Sequence, residues 1–279
     1  MKINHYKKNY ISRLKSCIAI LILLTSFCSY FSFSANHTKT DNVSSKKKVE
    51  IATPLSLSNP WAFLKPYQAK YSFLLDHDKL GLSTRTFSRD QQYWVLDTCT
   101  SASKFIINLK STENSKFHIK DGRLMNDRFV SFSKRTFKKA KKVKQFFDWD
   151  SKLETGSRNK KKWLLPIESQ VYDRVSHLIQ LRADLINGKK EFSYAVSHKG
   201  KVQDYLYQLD TNEVITTKMG ELTVQKYVRA KSNGATFAIW MSPELAFFPV
   251  KISQSKKDSP TVTLLLESID YLMLPEEKI

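Results

Sequence analysis

The feature that most constrains this chain is a two-residue alternation that begins at Tyr67 and recurs along most of the sequence. Tyr67, Ala69, Tyr71, Phe73 and Leu75 alternate with Gln68, Lys70, Ser72 and Leu74. Side chains repeat every two residues on a strand and every 3.6 on a helix, so such a run specifies a pleated strand with one face buried. Comparable runs follow at 80–88, 92–99, 104–111, 116–120, 124–132 and 143–149. The second half repeats the theme at 191–197, 202–209, 213–219, 222–230, 236–241, 247–254 and 261–273. His77-Asp78-Lys79, Arg89-Asp90 and Asp121-Gly122 separate runs as turn signals. Six of the seven glycines (Gly122, Gly156, Gly188, Gly200, Gly220 and Gly234) are expected at loops or element ends. The 17 Phe and 12 Tyr supply broad side chains that suit a pleated surface. The expectation is a mainly β chain: an antiparallel barrel, half-barrel or sandwich of many strands.

One segment has the other period. Beyond Pro166, Val171, Val175, Leu178, Leu181 and Leu185 fall three or four residues apart, which predicts an amphipathic helix over about 170–187. Ser169 is its expected N-cap, Asp173 suits its first turn and Gly188 its C′ position. A single helix among strands is expected to plug or flank the barrel.

The N-terminus reads as an address. Met1 to Ser16 contains Lys2, Lys7, Lys8, Arg13 and Lys15 and no acid, and Cys17 to Leu24 is an unbroken apolar run. Residues 1–35 are therefore expected to be a signal peptide or an N-terminal membrane anchor. As an anchor, a helix from Cys17 to Ala35 would be about 28 Å long, close to a bilayer core. Either outcome places the rest outside the cytoplasm, most simply in a periplasm, free or tethered to the inner membrane. Residues 36–60, with Lys46–Lys48, Pro54 and Pro60, read as a flexible linker, and 61–275 as a single β-rich domain. Cys17 and Cys28 fall in the leader, which leaves Cys99 without an internal partner; its strand-like setting predicts a buried thiol.

Several short motifs occur in a fixed order. They are Pro66-Tyr67, Leu80-Gly81, Gly122-Arg123-Leu124, Phe147-Asp148-Trp149, Asp173, and Leu181-Arg182-Ala183-Asp184-Leu185 with Gly188. Thr216-Thr217-Lys218-Met219-Gly220, Phe237-Ala238-Ile239-Trp240-Met241, Pro243 and Phe248-Pro249-Val250-Lys251-Ile252 complete the series. Together they resemble the bacterial exported proteins grouped as domain of unknown function 3108, over roughly residues 65–267. The resemblance implies an extracytoplasmic, β-rich, one-domain protein. It brings no catalytic residues with it.

The chemistry legible in the residues is binding rather than catalysis. His77, His118, His177 and His198 are scattered, and the sequence holds no H-x-x-x-H, C-x-x-C, G-x-S-x-G or glycine-rich phosphate loop. No metal, cofactor or catalytic residue is assigned, and enzymatic activity stays open. The net charge is +20, and Lys134, Arg135, Lys138, Lys139, Lys141, Lys142 and Lys144 crowd one stretch, followed by Arg158 and Lys160–Lys162. Nucleic acid is the usual partner of such a cluster, but export favours an anionic envelope surface instead. Trp94, Phe147, Trp149 and Trp240 are candidates to line a cavity for an apolar or lipid-like ligand. The first functional expectation is thus a non-enzymatic envelope protein that binds an apolar or amphipathic component in a β-barrel. The alternative is a structural or assembly factor that docks through its basic end on an anionic polymer, lipid or protein. A hydrolase with dispersed catalytic residues is the third. Oligomeric state is not encoded in any of these patterns.

A phosphatase that is active only outside the cytoplasm, fused after residue 60, is expected to be active. An inactive fusion beside a working cytoplasmic reporter at the same site would overturn export.

Overall fold

The alternation builds one continuous sheet. In the computed structural model, which describes residues 61–230 and 234–272, the strands of the first half are β1 (Tyr67–Leu75), β2 (Asp78–Asp90), β3 (Tyr93–Lys104), β4 (Ile107–Lys120), β5 (Arg123–Arg135), β6 (Lys141–Asp148), β7 (Leu153–Arg158) and β8 (Lys161–Pro166). The second half contributes β9 (Phe192–Ser197), β10 (Val202–Thr217), β11 (Gly220–Ala230), β12 (Ala235–Ser242), β13 (Phe248–Lys256) and β14 (Ser259–Tyr271). All neighbours are antiparallel, in the order β8-β7-β6-β5-β4-β3-β2-β1-β14-β13-β12-β11-β10-β9. The sheet is not closed by a ladder, since β8 and β9 stand at opposite ends of that order. The architecture is thus the open, half-barrel form of the expected mainly β fold, with one α-helix among the described residues, α1 (Ser176–Ile186).

The division into strands differs from the expected one in two places. Most of 104–111 and all of 116–120 belong to one strand, β4, and 202–209 and most of 213–219 to another, β10. Polar stretches such as Thr112-Glu113-Asn114 interrupt the apolar alternation without interrupting the hydrogen-bond ladder to β3 and β5. Conversely, β7 and the lysine-rich edge strand β8 are short strands that the apolar alternation does not announce. Gly156 accordingly lies inside β7 rather than at a turn, and its role is clearance. A Cβ there would fall 2.1 Å from Cε2 of Trp163, whose ring lies over the glycine. Gly200 leaves room for the other side of the same ring, with a Cβ falling 2.8 Å from Trp163 Cγ, at φ +77°. Trp163 of β8 therefore meets the β9–β10 turn.

The two ends of the sheet are joined by side chains in this way. Gln145 of β6 donates to Glu154 Oε1 (2.9 Å) and to Ser197 Oγ of β9 (3.1 Å), and Trp163 Nε1 donates to the same Glu154 oxygen (2.8 Å). Phe147, Ile167 and Val171 form a small apolar cluster with Trp149 and Ala195 across the gap. Tyr172 covers the free edge of β9: its N–H donates to Ala195 O (2.9 Å) and its carbonyl accepts from Ser197 N (2.8 Å).

The helix begins later than its apolar spacing implies, because Tyr172 makes that edge contact instead and the chain turns into the helix only after it. Asp173, not Ser169, organises its start. Asp173 Oδ1 accepts the N–H groups of Val175 (2.7 Å) and Ser176 (2.8 Å), and Oδ2 accepts from Ser115 Oγ of β4 (2.6 Å) and Asn126 Nδ2 of β5 (2.8 Å). Burial pushes the Asp173 carboxyl above its ordinary range, against the pull of these donors. At the other end, Gly188 has φ +70° and its N–H donates to Leu185 O, while Lys189 N–H donates to Asp184 O. These are the paired bonds of a Schellman cap. The stripe residues Val175, Leu181 and Leu185 are buried, and so are Ile179, Arg182, Ala183 and Ile186 on other faces. A helix buried on several sides is enclosed rather than laid on a surface.

Cys99 is exposed, contrary to expectation. Leu96, Thr98 and Ala102 are the buried positions of β3, and Cys99 shares the outer parity of Asp97. The expectations for residues 1–60 lie outside the described residues.

The distal part of the β10–β11 hairpin is fixed to the outer side of the sheet. Lys218 at its tip contacts Glu267 of β14 (2.9 Å), which is also bonded by Ser72 and Lys79. Those contacts, led by Lys79 and Ser72, lower the Glu267 carboxyl from 4.5 to about 2. A carboxyl lowered in the folded state adds stability above its unfolded pKa and loses it as pH falls through the folded value. The expected result is a decline in the urea midpoint between about pH 4.5 and pH 2, flattened in Glu267→Gln. Asp173→Ala orphans four donors, two of them backbone N–H groups at the start of α1, and is expected to cost roughly 3–5 kcal/mol by urea denaturation. A loss below about 1 kcal/mol, a single cap's value, would contradict that role.

Candidate functional site

The enclosed side of the sheet carries a cation that no carboxylate among the described residues neutralises. Tyr227 and Arg229 project from β11 on the same face, paired across the ladder with Ile239 and Phe237 of β12. Tyr205 and Tyr207 of β10 complete the surround. The Arg229 guanidinium carbon lies 3.4 Å from the ring centroid of Tyr205, 5.6 Å from Tyr207 and 5.2 Å from Phe237. Arg229 is 6% exposed, and its buried Nε and Nη1 have no hydrogen-bond acceptor. Among the described residues no carboxylate pairs with it. Aromatic faces attract a cation, but they do not take its N–H groups in the plane of the guanidinium, where an oxyanion would.

The rings themselves are held from the helix. His177 Nε2 lies 2.9 Å from Tyr207 Oη, its Nδ1 lies 3.3 Å from Asp173 O, and its ring meets Tyr205 edge-on at 5.1 Å. Burial pushes the Tyr207 hydroxyl well above its ordinary range, so it stays a neutral phenol. Tyr194 is raised in the same way, with Asp184, whose Oδ2 accepts its hydroxyl at 2.8 Å, adding to the effect.

Arg182 shows what a structural arginine looks like in the same interior. It is also buried and has aromatic neighbours, Phe63 at 4.4 Å and Phe248 at 5.1 Å. Yet its Nε donates to Ala246 O (2.7 Å) and its Nη2 to Leu245 O (3.2 Å), tying α1 to the turn before β13. Burial lowers its pKa. Arg182 is satisfied by the fold, and Arg229 is not.

Asp173, Ser176 and His177 lie close in sequence but are not arranged as a nucleophile and base. The Ser176 hydroxyl donates to Asn126 Oδ1 (3.0 Å) and accepts from Asp173 N (3.1 Å), so its proton is directed at an amide. No group of three or more metal-ligating side chains occurs among the described residues.

The four aromatic candidates do not converge. Trp94 stacks on Phe87 at 5.0 Å, in a row with Tyr67 and Phe117. Phe147 and Trp149 stack at 6.2 Å by the seam, where Trp149 Nε1 donates to Asn126 O (2.6 Å). Trp240 is on the opposite face from Ile239, flanked by Lys226 and Lys251, with its Nε1 bonded to Glu213 of the folded-over hairpin. It therefore lines no interior. Strand parity places it outside, and the hairpin buries it.

The basic residues occupy one end of the sheet, around the β5–β6 and β7–β8 turns. Lys134, Lys138, Lys139, Lys142 and Lys144 are exposed and Lys141 is half-buried. Arg135 is 8% exposed, because it lies on the buried parity of β5 opposite Leu109, and so does not belong to the outer cluster. Partial burial, followed by the charges of Arg158, Arg135 and Lys138, lowers the Lys141 pKa.

Sequence reasoning missed Arg229. The only available sign is an arginine in phase with Tyr227, two residues on, where alternation calls for an apolar side chain. Register shifts in β10 opposite β11 blur even that.

No protein with curated annotation matches the chain. The structure is similar to the crystal structure of a β-barrel-like protein of domain of unknown function DUF1849 from Brucella abortus. That match has 12% identity and a TM-score of 0.54, and covers 75% of this chain and 99% of the other. The likeness is one of fold. Residues 66–267 match the family described as protein of unknown function (DUF3108), and the chain belongs to that family.

Proposed function

We infer that this is a non-enzymatic binding protein of the cell envelope whose barrel-like interior takes an amphipathic anion, with the anionic head group on Arg229. The observation that carries this reading is the buried guanidinium whose Nε and Nη1 meet no acceptor among the described residues. Desolvating a charge without a counter-ion is among the costliest arrangements in a protein interior. A carboxylate or phosphate ester supplies both the charge and the in-plane acceptors, and Tyr205, Tyr207 and Phe237 offer apolar surface to what it is attached to. An envelope location is supported by the acid-free basic start and the apolar run at Cys17–Leu24. The same reading keeps the chain outside the cytoplasm, free or tethered through its N-terminus.

Laurate and dodecanol share an alkyl chain and differ in head charge. The full chain is expected to bind laurate at least about tenfold more tightly than dodecanol, in line with a charge-assisted hydrogen bond. Arg229→Met removes that preference. It also raises folding stability, by roughly 1–4 kcal/mol, since an apolar side chain of similar length replaces an uncompensated buried charge. Equal binding of the two probes by the wild-type chain, or a destabilised Arg229→Met, would overturn the reading.

A further inference from the structure

The hairpin turns at the basic end contain a second anomaly. Most non-glycine residues with positive φ in this chain are polar turn residues: Asp76, Gln91, Asp121, Lys152, Asn159, Lys199 and Asp258. Polar residues of this kind, Asn and Asp above all, tolerate the left-handed region comparatively well. Two adjacent turns break the pattern. Phe105, first residue of the β3–β4 turn, has φ 53°, and Phe137 in the β5–β6 turn has φ 60°. A bulky aromatic in that region is strained, and strain persists where something else is gained.

The gain is not packing. Phe105 is 75% exposed, Phe137 79%, and Ile106 beside them 69%. Phe247, the remaining aromatic with positive φ, is by contrast buried in the core. The two tips are held side by side: Thr136 N donates to Asn108 O (3.0 Å), and Asn108 N donates to Thr136 Oγ1 (2.9 Å). The β7–β8 turn joins the same end, where Asn159 N donates to Lys142 O (2.8 Å) and Lys142 N to Asn159 Oδ1 (2.9 Å). Exposed Lys138, Lys139, Lys160 and Lys161 therefore share this end with the three exposed apolar side chains, and none of these four makes a salt bridge among the described residues. The acids at this end are Asp76 and Asp78 of the β1–β2 turn, where Asp78 is engaged by Lys104 (3.0 Å), and Asp258 of the β13–β14 turn beside it.

We propose that this end of the sheet docks on an anionic lipid bilayer, with Phe105, Ile106 and Phe137 entering the boundary between head groups and acyl chains while the surrounding lysines engage lipid phosphates. Apolar side chains projecting from a cationic surface match the two layers of a bilayer interface, and neither water nor a purely polar polymer rewards the apolar part. The proposal is independent of Arg229, which is on the enclosed side of β11.

The test uses the exposed Cys99 as an internal standard. In the full chain with Cys17→Ser, Cys28→Ser and Ile106→Cys, a membrane-impermeant maleimide labels positions 99 and 106 in parallel. Vesicles rich in phosphatidylglycerol are expected to slow labelling at 106 by about tenfold or more, while Cys99 is unaffected. Phosphatidylcholine vesicles leave both rates unchanged, and 1 M salt reverses the protection by screening the lysines. Because position 106 is compared with Cys99 in one molecule, N-terminal anchoring does not produce the signal. Adding Phe105→Gly and Phe137→Gly removes the protection and leaves the urea midpoint unchanged or higher, since glycine relieves the strained φ. Equal labelling at 106 with both lipids would overturn the proposal, as would a lowered midpoint in the glycine variant. So would protection that appears without vesicles and grows with protein concentration, which would place a second copy of the chain on the tips.

Discussion

An open sheet of this size has an inner face that must be covered, and here the cover is fixed by one carboxylate. Asp173 receives two backbone N–H groups from the start of α1 and two side-chain donors from β4 and β5. This sets where the helix begins and how it is placed against the sheet. The positions further along the helix follow from that placement. His177 reaches Tyr207 on β10, Arg182 reaches the carbonyls before β13, and Asp184 receives Tyr194 of β9. Strands from both halves are thus referred to one short helix, which does by packing what ladder closure does in a complete barrel.

The interior treats its charges unequally. Asp173 has a donor for each lone-pair direction that matters, and Arg182 has two backbone carbonyls. Arg229 has ring faces around it, and its Nε and Nη1 have no acceptor among the described residues. In a fold that satisfies the first two so fully, the third stands out, and the comparison between the arginines is what separates a binding group from a structural one. Burial alone would not have done so, since both are buried.

Much of the fold is legible in the sequence because alternation is a direct print of which face is buried. The β1 run from Tyr67 to Leu75, the Gly188 cap and the apolar spacing of α1 all translate into structure. Legibility fails where parity alone does not tell which face is covered. Cys99 and Trp240 sit on outer parities, one bare and one roofed by a hairpin that bends back from far along the chain. Lys161-Lys162-Trp163 reads as loop because an edge strand with lysines keeps its outer face in water. Gly156 reads as a turn because the ring it accommodates comes from the neighbouring strand. The unmatched guanidinium of Arg229 is a property of three strands together, and no local pattern announces it.

The strand order has a consequence for how the molecule is made. Every ladder but one joins strands that are consecutive in the chain; the exception pairs β1 with β14, Tyr67 opposite Tyr271. Two meanders can therefore zip up locally, each from its own hairpins, at rates set by short loops. Joining them requires the first strand to wait for the last. Throughout synthesis β1 presents an open edge, and only when the final strand has emerged is that edge consumed. The slow, aggregation-exposed step of assembly is thus the meeting of β1 with β14, and a truncation that removes β14 leaves both meanders with an unpaired edge at their join.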